Sequence, residues 1–197
     1  TYKNRFGGFG RAISQMPDSY RRLQDGDMIE LAQKSWRVIV GNGHSPEHAC
    51  LYCAELNVLI SGDQLLPRIS SNVSVHPTEP QADPLADWLD SCVKLKGEIP
   101  ADVLVLPAHN EPFTGAHDRL DHLVHGHEVA LNRLKQRLGE APRRAIDVFP
   151  AIFGRKIGPD LVSMATGEAI AHLNCLIARG EATTSAGDDG ATWYSLA

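Results

Sequence analysis

No histidine occurs in the first 43 positions of this 197-residue chain, although nine follow. Cysteine is scarce as well. Cys50, Cys53, Cys92 and Cys175 are too few and too scattered to staple a chain of this length, which points to a reducing compartment. No uninterrupted apolar run approaches the roughly 20 residues that a membrane-spanning helix needs. The opening TYKNRFGGFG lacks the apolar core of a secretory leader. A cytoplasmic protein without a membrane partner is therefore expected. Positive charge is also short, with 19 Lys and Arg against 24 Asp and Glu and a net charge of −5. Phosphate backbones reward clustered Lys and Arg, so this balance disfavours a basic nucleic-acid binder. An initiator Met is missing too: the chain begins with Thr1, which suggests a fragment or a processed product.

An apolar fraction of 43% with 22% charged residues describes an ordinary globular chain. Its length suits one domain or a main body with a small appendage. Residues 1–24 read as irregular to weakly helical, with Gly7-Gly8 and Pro17 as breakers. From Asp27 onward, Met28–Leu31, Trp36–Val40, Ala49–Leu56 and Val58–Ile60 form four short apolar or β-branched runs, each bounded by Gly, Asn or Asp. They read as strands in rapid succession, with a tight turn at Glu55-Leu56-Asn57. Cys50 and Cys53 have the C-x-x-C spacing of some zinc and redox sites. In an alternating strand, however, positions three apart face opposite sides, so buried structural thiols are expected.

A Pro- and Ser-rich stretch from Pro67 to Pro84 leads into a helical pattern over 84–96, and Asp102–Pro107 is an apolar run of strand length. Strands first, then helix and strand, imply an α/β mixed sheet with helices packed on it. Beyond Pro112 the spacing turns helical over 117–138, with Gly139 as a stop, then over 144–153 and 166–179. Thr166 is the expected N-cap of the last helix, with Ile170, Leu173, Leu176 and Ile177 as its apolar stripe. Ala182–Thr184 and Thr192–Ser195 flank a Gly/Asp turn and read as a hairpin. Three helices and a hairpin resemble a winged helix, which places a domain boundary near residue 115, giving units 1–115 and 116–197.

Three local sequences each put a metal-competent side chain just after a strand. They are Gly43-His44-Ser45-Pro46-Glu47-His48, Ser61-Gly62-Asp63 and Pro107-Ala108-His109-Asn110-Glu111-Pro112. Strand ends opening into loops are where ligands and catalytic groups gather, so all three can meet at one rim. Imidazole and carboxylate suit Zn²⁺ and related ions. The remaining histidines read differently. His117, His122, His125 and His127 are expected on a solvated helix face, since Leu120, Leu123 and Val124 already define its buried side. His172 reads as a flank of an apolar stripe. His76 follows the Asp63 loop and is a weaker candidate for touching substrate.

In these three motifs the sequence resembles the metallo-β-lactamase superfamily. G-H-S-P-E-H is similar to that family's G-H-T-P-x-H, I-S-G-D to its strand-end aspartate, and L-P-A-H-N-E-P to its last histidine motif. The resemblance runs from about Asp27 to Pro112. It implies the C-terminal portion of an αββα sandwich, and the later helices and hairpin resemble the winged-helix tail of one branch. It further implies His44 as ligand of a first metal, Asp63 as a bridging and catalytic carboxylate, and His109 as ligand of a second metal. His48 is implied to be a catalytic helper or loop-fixing residue. The cofactor implied is a pair of divalent ions, zinc by expectation, and the substrate a small ester or thioester, with RNA as second choice.

The family's H-x-H-x-D-H motif has no counterpart here, since His44 is the first histidine in the chain. An incomplete hydrolase, inactive alone and with poorly filled metal positions, is the expectation. A truncated sandwich also leaves a strand edge and apolar surface open, so a homo-oligomer is expected rather than a monomer. Two other classes stay open. One is a nucleic-acid or partner-binding module in which helix 166–179 presents Glu168, His172, Asn174 and Arg179. Residues 128–197 carry eight basic and eight acidic side chains, a neutral balance that speaks against it. The other is a non-catalytic fragment that takes up no metal.

Overall fold

Short apolar and β-branched runs separated by tight turns fold the segment from Met28 to Gly62 into an antiparallel meander. The computed structural model describes residues 18–188 and 190–197. The expectation for the opening segment therefore falls largely outside the described residues, as does Asp189 of the last turn; residues 18–24 carry no helix or strand. Strands β1 (Met28–Leu31), β2 (Lys34–Gly41), β3 (His48–Cys53) and β4 (Val58–Gly62) pair in sequence order. The turn between β3 and β4 closes with Asn57 N–H donating to the Ala54 carbonyl at 3.3 Å.

Strand β5 (Leu104–Pro107) joins β4 in parallel, giving the order β1-β2-β3-β4-β5. A parallel neighbour requires a crossover, and helix α1 (Pro84–Glu98) supplies it. Asp83 caps α1 by accepting the Ala86 N–H at 3.0 Å, and Pro84 at the first position gives up no hydrogen bond.

Register places Ile39, Cys50, Leu59 and Val105 on one face of the sheet, where they form a core with Leu85, Trp88 and Cys92 of α1. On the opposite face Val38, Leu51, Ile60 and Leu106 line up across four strands. This second face is apolar as well, yet Ile60 is 38% and Leu104 40% exposed. Cys50 and Cys53 lie on opposite faces, both fully buried and both free, as the alternation requires.

The remaining elements are α2 (Ala116–Glu140), a 3-10 turn (Ala145–Val148) leading into α3 (Phe149–Phe153), α4 (Val162–Ala178), and a hairpin of β6 (Ala182–Ala186) and β7 (Thr192–Leu196). Leu131, Leu134, Leu173, Leu176 and Tyr194 belong to the same continuous core as Ile39 and Leu59. Helix α2 runs one residue past Gly139 and stops at Ala141, which Pro142 holds extended.

Helix α4 departs from the sequence reading. It starts at Val162 rather than Thr166, whose hydroxyl donates back to the Val162 carbonyl at 2.7 Å from inside the helix. By length and composition Pro159–Ala178 is apolar enough to cross a membrane. In the fold it is a core helix, buried on every side from Ala171 to Leu176. Burial all round also corrects the expected recognition face. His172 and Asn174 are buried, Glu168 is largely so, and the Asn174 amide donates to the Pro80 and Ala82 carbonyls at 3.1 and 2.8 Å. Of the four side chains expected on that face, only Arg179 is exposed, paired with Glu128 of α2.

A second correction concerns α2. His122 and His125 are exposed as expected, but His127 is only 7% exposed and meets His172 of α4 across the helix interface. His117 is half-buried, its Nε2 lying 2.9 Å from the Ile99 carbonyl.

Candidate metal centre

The pairing pattern brings the C-terminal ends of β2, β4 and β5 and the start of β3 to one edge of the sheet. His44, Asp63 and His109 each follow directly from those ends. Gly43 precedes His44 with φ +98°, and a Cβ there would lie 2.5 Å from Trp88 Cβ, so only glycine lets this loop press against α1. Gly62 plays the same part before Asp63. Its φ is +52°, and a Cβ would fall 2.5 Å from His48 Cε1. The end of β5 is tied to the end of β4 by Ala108 N–H donating to the Gly62 carbonyl at 2.9 Å, which carries His109 to Asp63.

The result is a carboxylate flanked by two imidazoles. Asp63 Oδ2 lies 3.6 Å from His44 Nε2, and Asp63 Oδ1 lies 3.3 Å from His109 Nε2. The side chain of His109 is 63% exposed, while those of His44 and Asp63 are 29% and 31% exposed. The ring of His44 is anchored from behind: Nδ1 sits 2.8 Å from the Asn72 carbonyl, so Nδ1–H donates there and Nε2 is the nitrogen turned toward Asp63. A ligating histidine needs this arrangement, with one nitrogen anchored and the other free.

Two imidazole nitrogens and a carboxylate with one oxygen toward each are donor types that would suit divalent metal ions. Among the described residues no three His, Cys, Asp or Glu side chains close around a single metal position. The donors instead fall into two pairs that share Asp63.

His48 stands beside this trio with a different task. Its Nε2 accepts the Asp63 backbone N–H at 3.1 Å, and its Nδ1 lies 3.9 Å from Cys50 Sγ. Burial, reinforced by neighbouring His44, lowers its pKa and favours the neutral ring that this acceptor role requires. His76, by contrast, is exposed.

Sequence reasoning missed the residues that hold the rim from behind. Ser71 donates from Oγ to the Asp63 carbonyl, and Arg68 pairs with Glu111 two positions after His109. Asn72 Nδ2 donates to Glu168 Oε2 of α4 at 2.8 Å. Burial pushes the Glu168 carboxyl up to about 7 despite that hydrogen bond. Beside it a cavity of about 230 Å³ is lined by Ser70, Arg119, His127, Glu168 and His172, among others. The only hint in the sequence was a lone glutamate in the apolar, small-residue run Ala165–Ala171.

Comparison with known proteins gives the family. Residues 1–109 match the family model described as metallo-beta-lactamase superfamily, and residues 131–197 match one described as metallo-beta-lactamase-like, C-terminal domain. This chain belongs to the metallo-beta-lactamase superfamily, whose members usually bind divalent metals and are mostly hydrolases. A crystal structure of a beta-lactamase domain protein from Burkholderia ambifaria is 42% identical, with a TM-score of 0.89, over 93% of this chain and 54% of that one. A metallo-beta-lactamase family protein from Thermus thermophilus is 28% identical, with a TM-score of 0.78, over 92% of this chain and 56% of that one. An uncharacterized protein of Aquifex aeolicus is 28% identical over 114 residues, 57% of this chain and 52% of the relative. The chain thus spans about half the length of the relatives it matches.

Proposed function

We propose that this chain is the C-terminal portion of a metal-dependent hydrolase that cleaves an ester-like bond, a thioester or lactone first and a phosphodiester second. The observation that carries the reading is Asp63, whose two carboxylate oxygens each face the Nε2 of a different histidine at 3.6 and 3.3 Å. His44 and Asp63 would hold one divalent ion, Asp63 and His109 the other, zinc being the ion their chemistry suits best. When bound, such ions supply a nucleophile at neutral pH and polarise the bond under attack.

The chain's own residues perform the positioning. His48 fixes the backbone of Asp63, the Asn72 carbonyl fixes the ring of His44, and the exposure of His109 leaves the rim open to substrate. The remaining donors and the water-orienting aspartate would come from an H-x-H-x-D-H segment ahead of this chain. The apolar second face of the sheet, with Ile60 and Leu104 part-exposed, would then pack against the other half of an αββα sandwich. Without that half, self-association through this face and little or no activity are the expected behaviour of the chain alone. In this reading the protein is cytoplasmic, and α2–α4 with the hairpin form a winged-helix-like unit.

The direct assay is hydrolysis of an acyl thioester, a lactone and a phosphodiester by the longer, zinc-loaded protein. Asp63→Asn should cut turnover of the preferred class by at least about 100-fold. Undiminished turnover by that variant would remove Asp63 from the mechanism.

A further inference from the structure

We infer that Glu168 of helix α4 is a positioning residue for His44, acting through Asn72, which lies 96 residues before Glu168 in sequence. The inference rests on His44 being a metal ligand. It begins from a strap, residues 71–75, that touches the rim on one side and α4 on the other. On the rim side, Ser71 Oγ donates to the Asp63 carbonyl, and the Asn72 carbonyl accepts His44 Nδ1–H at 2.8 Å. On the helix side, Val75 N–H donates to the Gly167 carbonyl at 3.1 Å and Asn72 Nδ2 donates to Glu168 Oε2 at 2.8 Å.

Packing makes this contact specific. A Cβ at Gly167 would come within 3.0 Å of the Ser74 side chain and 3.1 Å of the Val75 carbonyl, so any larger residue would press the strap back by a few tenths of an ångström. The amide of Asn72 is held at both ends, since Ser74 Oγ–H donates to its Oδ1 at 2.6 Å while its Nδ2 reaches Glu168. An amide gripped at both ends fixes the rotation of its own residue and hence the direction of its carbonyl. That carbonyl selects the His44 tautomer. Glu168 is largely buried at the wall of the cavity behind the rim, and Asn72 is the one side chain to which its carboxylate is bonded among the described residues. The route explains why a metal ligand on the β-sheet edge depends on a helix near the other end of the chain.

The test compares Glu168→Gln, Glu168→Leu and Asn72→Ala in the full-length protein. Gln retains an oxygen that accepts from Asn72, whereas Leu does not. Asn72→Ala cuts the same link while leaving α4 intact, should the Leu variant fold poorly. Two readouts are taken. In the metal-free protein, ¹⁵N histidine NMR should show His44 as a single Nδ1–H tautomer in the native protein and in Glu168→Gln, and as an averaged pair in the other two. Zinc titration should then show about 10-fold weaker binding at the His44 position in Glu168→Leu and Asn72→Ala, with native affinity in Glu168→Gln. An unchanged His44 tautomer in both disrupted variants overturns the inference. A native protein that takes up no zinc while its tautomer responds as expected overturns the metal reading and leaves the positioning link standing.

Discussion

His48 Nε2 accepts the backbone N–H of Asp63 at 3.1 Å, so one histidine of the G-H-S-P-E-H loop holds up the residue at the centre of the rim. Gly62 gives it room, because a side chain there would occupy the space of the His48 ring. Replacing His48 by Ala leaves that N–H without its acceptor and should cost about 1 kcal/mol of stability. It should also weaken metal binding by about 10-fold as Asp63 loses its fixed direction. Thermal unfolding and zinc titration check both, and an unchanged zinc affinity would show that Asp63 is held by Ser71 alone.

The buried pair His127 and His172 should make the protein acid-sensitive. Their rings meet with His127 Nδ1 only 3.3 Å from His172 Nε2. Burial, reinforced at His127 by the neighbouring His172, holds both pKa values down to about 4. Between the ordinary value of 6.5 and about 4, the unfolded chain binds protons that the folded one refuses. Stability is therefore complete above 6.5 and falls as the pH drops, by up to about 1.4 kcal/mol per pH unit for each ring. Glu168 works in the opposite sense. Its folded pKa of about 7 lies above the ordinary value of 4.5, so its contribution is complete at low pH and is lost as the pH rises through 7. Urea unfolding between about pH 4 and 7 in a Glu168→Gln background isolates the histidines. A flat profile there would mean that the pair takes up protons in the fold as readily as in the unfolded chain.

Nucleic acid should bind this chain poorly. Helix α4 turns His172 and Asn174 inward, and Arg179 is engaged by Glu128 at 2.7 Å. Fluorescence anisotropy with short RNA and DNA duplexes should show no saturable binding at about 0.15 M salt, where non-specific electrostatic binders still reach micromolar affinity. Tight binding that falls steeply with added salt would revive a nucleic-acid role for the C-terminal helices.

The rim was legible in the sequence because each of its residues directly follows an apolar strand run, and local order alone carries such a signal. His44, Asp63 and His109 are together in space for that reason. The supports behind them were not legible. Asn72 reaches His44 through a backbone carbonyl, which leaves no trace in residue type, and its link to Glu168 depends on how α4 packs on a strap far away in sequence. His127 carries no sequence signal of burial because Leu120, Leu123 and Leu131 already account for a buried stripe, while burial of α2 beneath α4 widens that stripe to include it. The start of α4 is obscured for a related reason. Thr166 has the residue type of an N-cap, but Pro159 and the turn after it have already begun the helix.

The central claim is that Asp63 joins two metal positions, one with His44 and one with His109. Elemental analysis of the full-length protein, purified with zinc and dialysed against metal-free buffer, tests it most directly when native protein and Asp63→Asn are compared. The account expects close to two zinc ions per native chain and at most one, weakly held, in the variant. Equal metal content in the two proteins would contradict it.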